Sequence, residues 1–118
     1  MKTASIALAA LLCAAPTLAS ADDLTVPMPE GTKVQRLKAS YVCPGIGPFT
    51  AEYVTAGDIS LALLPVDGRP LVFANVLSGS GVRYAAGPYV WWTKGNSAAL
   101  YDVRKGEKAE PVQCEEKQ

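Results

Sequence analysis

The chain contains no histidine among its 118 residues. That excludes histidine-assisted nucleophilic triads and imidazole metal ligation. Cysteine is scarce: three residues, one of them (Cys13) near the N-terminus. With both remaining thiols available to each other, a transition-metal site has few ligands to draw on. Excess charge is missing too, since eleven Lys and Arg balance eleven Asp and Glu. Nucleic-acid binding needs a basic field that this chain does not supply. No Gly-Lys-Ser/Thr follows any glycine loop, so no phosphate loop is present. From residue 22 onward no stretch sustains a helical period.

What is present begins with a leader pattern. Met1-Lys2 gives a positive start and Ile6 to Ala15 an apolar run too short to span a bilayer. Ala19-Ser20-Ala21 fits a small-x-small cleavage site, so residues 1–21 are expected to be a signal peptide and the mature chain to begin at Asp22. Cys13 follows Leu11-Leu12 rather than a small residue, which argues against lipid attachment there. The expected location is therefore periplasmic, without a membrane anchor. In an oxidising compartment the two remaining cysteines, Cys43 and Cys114, are expected to pair. Two free buried thiols are the alternative.

Residues 22–33, rich in Asp, Pro and Gly, read as an extended arm. From residue 34 to 118 short β-prone runs alternate with Gly, Pro and Asp breakers. Strands are expected near 35–43, 49–55, 59–64, 71–77, 82–86, 89–94, 98–103 and 109–114. This is one all-β domain, a small antiparallel β-barrel of about eight strands. In such a meander, successive connections alternate between the two ends. The Ala56–Asp58 turn, the Ser78–Gly81 loop and the hairpin after Lys94 should therefore share one rim. The same parity puts Cys43 and Cys114 at opposite rims, so their pairing requires the last segment to cross obliquely or to start later.

Two rim segments stand out. Ser78-Gly79-Ser80-Gly81 holds serines between glycines, which permit positive φ and close backbone approach. Locally this is also ordinary turn chemistry. Lys94 precedes Gly95-Asn96 at a hairpin tip, where a solvated lysine is equally ordinary. The neighbourhood carries more information: Tyr84, Tyr89, Trp91, Trp92 and Tyr101 crowd around these segments. Alternation puts Tyr89, Trp91 and Thr93 on one face and Val90, Trp92 and Lys94 on the other. Exposed aromatics beside a lysine suit an interface, and core or girdle packing is the competing explanation. A Ser–Lys catalytic dyad would need a buried, neutral lysine, which a rim hairpin does not provide. Carboxylates are scattered over turns and tails, with no pair placed for glycoside hydrolysis. No enzyme activity and no cofactor are expected.

The order of Tyr41-Val42-Cys43, Phe49-Thr50-Ala51-Glu52-Tyr53, Ser78-Gly79-Ser80-Gly81-Val82-Arg83-Tyr84, Trp92-Thr93-Lys94-Gly95-Asn96-Ser97-Ala98-Ala99-Leu100 and a C-terminal cysteine resembles the bacterial inhibitors of C-type lysozyme, the MliC/PliC family. The likeness spans about residues 37–114, and the Ala19-Ser20-Ala21 pattern with no acceptable lipobox favours the soluble periplasmic branch of that family. It implies a barrel that plugs the lysozyme cleft, with Ser80 and Lys94 reaching the two catalytic carboxylates. By motif position Arg83 and Tyr84 would line that contact, with Gly79, Gly81 and Gly95 shaping it. A glycan- or small-ligand-binding barrel is the alternative function.

Overall fold

A computed structural model of the chain describes residues 2–5, 10, 12–18 and 22–118. Much of the expected leader, including Ala19-Ser20-Ala21, lies outside the described residues. Residues 22–29 carry no regular structure, and a turn at Pro29 follows, where the Thr32 amide and hydroxyl both donate to the Pro29 carbonyl.

Eight strands then close into an antiparallel barrel in sequence order. They are β1 (Val34–Cys43), β2 (Gly47–Ala56), β3 (Ile59–Val66), β4 (Arg69–Val76), β5 (Val82–Ala86), β6 (Tyr89–Lys94), β7 (Ser97–Asp102) and β8 (Val112–Glu116). The expected architecture is therefore present, and so is the Cys43–Cys114 disulfide. The rim conflict resolves through stagger. β1 pairs with β2 along its full length but meets β8 only at Tyr41↔Glu116 and Val42↔Glu115. That register sets Cys43 opposite Cys114, with Cα atoms 4.3 Å apart. Barrel closure requires such a shear, because tilted strands cannot meet end to end. The last strand starts at Val112, three residues after the expected position.

Alternation selects what fills the barrel. Ala39, Tyr41, Ala51, Ala62, Leu64, Phe73, Tyr84, Trp91, Ala98 and Cys114 form its buried interior. Large and small side chains share a lumen this narrow: Trp91 and Phe73 are fully buried alongside the fully buried Ala51 and Ala62. Tyr41 meets Trp91 edge-to-face at 5.1 Å, and Phe49 meets Trp91 at 5.8 Å. Buried polar tips need partners. The Trp91 indole N–H donates to the Tyr53 hydroxyl at 2.9 Å, which is 2.7 Å from the Tyr41 hydroxyl. Burial pushes the phenols of Tyr53, Tyr41 and Tyr84 above their ordinary pKa.

Candidate functional site

Strand parity brings the Ala56–Asp58 turn, the Ser78–Gly81 loop and the Gly95–Asn96 turn to one end of the barrel, as expected. Val82 pairs with Thr93 and Arg83 with Trp92, so the loop that enters β5 lies directly beside the end of β6. Lys94 pairs with Ser97 across the two-residue turn, where Gly95 adopts φ 59°.

The loop braces itself from within. Ser78 is half-buried, and its hydroxyl donates to the carbonyls of Ser80 (3.2 Å) and Gly81 (2.9 Å). Ser80 is exposed, and its hydroxyl takes no part in these loop hydrogen bonds. Of the two serines, Ser80 is thus the one presented outward. Gly81 sits at φ 65° against β6: a Cβ there would collide with the Thr93 carbonyl oxygen and lie 2.7 Å from Lys94 Cγ and 3.2 Å from Trp92 Nε1. Gly79 has open space around it and lies outside the left-handed region, so nothing nearby demands glycine there.

The two tryptophans separate cleanly. Trp91 belongs to the interior, whereas Trp92 lies on the outer wall. The Trp92 indole N–H donates to the Ser80 carbonyl at 2.8 Å. The Lys94 ammonium lies 4.7 Å from the centroid of the same ring, and the Arg83 guanidinium 5.6 Å. Tyr101 packs on its flank, centroids 6.4 Å apart. Lys94 itself is exposed.

Of the sequence-derived site residues, Ser80, Lys94, Arg83, Gly79, Gly81 and Gly95 gather at this end. Tyr84, expected to line the contact, lies on the other face of β5. It points into the barrel, 7% exposed, and packs against Tyr53 at 5.8 Å. Its strand position, one step from Arg83, puts it on the opposite face. Trp92, left without a role by sequence reasoning, is the residue that joins the two segments. The alternation pattern already placed it on the face of Lys94.

Aromatic and aliphatic side chains pack the barrel interior. At the other end a depression of about 310 Å³ is lined by residues including Ile46, Val66, Leu100 and Val112, with Asp67, Asp102, Glu107 and Glu110 around it. Beside it, the Tyr89 hydroxyl donates to Asp67 and accepts from Arg104, which also pairs with Asp102 at 2.8 Å. Among the described residues no cluster of His, Cys, Asp or Glu could hold a metal ion. No helix of the described residues is long and apolar enough to cross a membrane.

Fold and rim together define a small disulfide-braced barrel with two adjoining turns tied to each other at one end. The family model for the membrane-bound lysozyme-inhibitor of c-type lysozyme, MliC, matches residues 41–109, and the chain belongs to that family. A curated relative from Pseudomonas aeruginosa, a membrane-bound lysozyme inhibitor of C-type lysozyme, is 46% identical over 92 residues, covering 76% of this chain and 72% of the relative. A relative of the same description from Cupriavidus necator is 34% identical over 104 residues, covering 87% and 83%. Among solved structures, Pseudomonas aeruginosa MliC in complex with hen egg white lysozyme matches with a TM-score of 0.70 and 42% identity, over 85% of this chain and 99% of that one.

Proposed function

We propose that this protein inhibits a C-type lysozyme by inserting the Ser80 loop and the Lys94 hairpin into the enzyme's cleft. The observation that carries this reading is the contact between the two segments: they form one surface, tied through Trp92, with a hydroxyl and an ammonium facing outward. C-type lysozyme works with two carboxyl groups flanking the scissile bond, and retaining glycosidases hold theirs only about 5–5.5 Å apart. Two short prongs on one rim suit that target. The Lys94 ammonium, a compact cation, pairs with one carboxylate. The Ser80 hydroxyl donates to the other. Neither prong presents a glycosidic bond, so the enzyme is occupied without turnover.

Arg83 contributes beside Trp92. Gly81 and Gly95 supply the backbone conformations that bring the prongs together, and Gly79 lies in the same loop with open space around it. Residues 1–21 act as a cleaved leader, residues 22–33 as an arm, and residues 34–118 as the inhibitory domain in the periplasm. The curated relatives are named membrane-bound. The leucine before Cys13 favours release of this chain over lipid attachment. The test is lysis of cell-wall substrate by hen-type lysozyme with purified mature protein. Inhibition at or below micromolar concentration is expected, and unimpaired lysis by every C-type enzyme tried overturns the proposal.

A further inference from the structure

Trp92 makes three contacts that no other single residue of this rim combines. Its indole N–H donates to the Ser80 carbonyl, and its ring lies under the Lys94 ammonium and beside Arg83. The Ser80 carbonyl is also the acceptor for Ser78, so one oxygen gathers the loop's internal brace and its tie to β6. Gly81 lets the loop come this close, because any side chain there would strike Thr93, Lys94 and Trp92 itself. Behind the ring, Tyr101 and the cross-strand neighbour Ala99 support it from β7. Ala99 is buried although strand parity places it on the outer wall.

We propose that Trp92 is the positioning residue of the inhibitory rim: it fixes the Ser80 loop through its N–H and the Lys94 ammonium through its ring, so that both prongs are set before the partner arrives. The inference rests on the reading of this rim as the lysozyme-binding surface, and it adds the residue that sets the geometry. Ordering a loop and a long side chain on binding costs affinity, and a surface already ordered avoids that loss. Trp92 acts through Ser80 and Lys94, so its effect must depend on them.

Two substitutions separate its functions. Trp92→Phe keeps a ring under Lys94 and removes the donor to Ser80. It should weaken inhibition about 3- to 10-fold, the range of one hydrogen bond. Trp92→Leu removes both and should weaken inhibition roughly 10- to 50-fold, adding an exposed cation–π contact. In a Ser80→Ala background the Trp92→Phe change should cost less than about twofold, because linked residues are non-additive. Nitrogen-15 relaxation on the free protein gives a readout independent of lysozyme: Trp92→Phe should lower the order parameters of the Gly79–Gly81 amides from about 0.85 toward 0.6. In the unmutated protein the Trp92 indole N–H should exchange slowly with solvent, a measurement that survives any folding defect in the variants.

Equal losses for Trp92→Phe with and without Ser80, an unchanged loop and a fast-exchanging indole would overturn the proposal. If Ser80→Ala and Lys94→Ala both leave inhibition intact, the reading of this rim as the lysozyme-binding surface fails and the positioning role fails with it, even where Trp92→Phe still loosens the loop.

Discussion

Replacing Gly81 by alanine probes the junction of the two rim segments with a single methyl group. Gly81 holds φ 65°, a conformation costing an L-residue about 1–2 kcal/mol. The new Cβ would collide with the Thr93 carbonyl oxygen, part of the β5–β6 ladder that cannot yield without breaking pairing. It would also lie 2.7 Å from Lys94 Cγ and 3.2 Å from Trp92 Nε1. The loop must back away, and the Trp92–Ser80 hydrogen bond goes with it, a further loss of about 0.5–1.5 kcal/mol. Gly81→Ala should therefore destabilise the protein by about 2–4 kcal/mol. Two neighbours are internal controls. Gly95 has φ 59° but open space, so Gly95→Ala should cost only the conformational part, about 1–2 kcal/mol. Gly79 has neither constraint, and Gly79→Ala should fall within about 0.5 kcal/mol of the parent. Urea unfolding of the three variants gives the order directly, and inhibition should follow it. A Gly81→Ala protein as stable and as inhibitory as Gly79→Ala would refute the packing described for this rim.

Three further outcomes follow from the fold. Cys43→Ala with Cys114→Ala should lower stability by about 4 kcal/mol in the loop-closure model, since the bridge spans a sequence separation of 71; unchanged unfolding midpoints would contradict it. The buried tyrosines should add no pH dependence below about pH 10, and stability should fall as pH rises above it. The unfolded phenols ionise near that value, whereas burial holds Tyr53, Tyr41 and Tyr84 neutral in the barrel to higher pH. Urea titrations at about pH 9 and about pH 11, read with tyrosinate absorbance, check the sign. Intact mass of protein exported to the periplasm should correspond to a chain starting at Asp22 and carrying no lipid, and a diacylated Cys13 would overturn the proposed leader.

The strand count, the meander order and the shared rim were legible because turn chemistry punctuates the chain so regularly. Asp67-Gly68 and Gly95-Asn96 mark their hairpins in plain sequence. Boundaries were less legible where proline suggested a break. β2, β3 and β4 run through Pro48, Pro65 and Pro70. Each of these prolines lies where its strand has a neighbour on only one side. Pro48 precedes the β2–β3 pairing, Pro65 follows it, and Pro70 precedes the β4–β5 pairing. A missing N–H costs little on an open side. The stagger that joins Cys43 to Cys114 is a property of closure and has no local signature. At the candidate site, motif and connection parity brought Ser80 and Lys94 to one rim, and the barrel places both segments there. Strand parity, legible in the sequence, sends Tyr84 inward next to outward Arg83. The indole bond to a backbone carbonyl depends on the close approach of two turns and could not be read from residue types.

The most direct test of the central claim is the inhibition constant of Lys94→Ala and of Ser80→Ala against hen-type lysozyme, with thermal unfolding measured beside each. Both positions are exposed, so stability should stay within about 0.5 kcal/mol of the parent for Ser80→Ala and within about 1 kcal/mol for Lys94→Ala, which also loses its contact with the Trp92 ring. Lys94→Ala should weaken inhibition by about 2–5 kcal/mol, the cost of leaving a desolvated carboxylate without its cation. Ser80→Ala should weaken it by about 1.5–3 kcal/mol, for a hydrogen bond to a charged group. Two stably folded variants that inhibit as well as the parent would contradict the account.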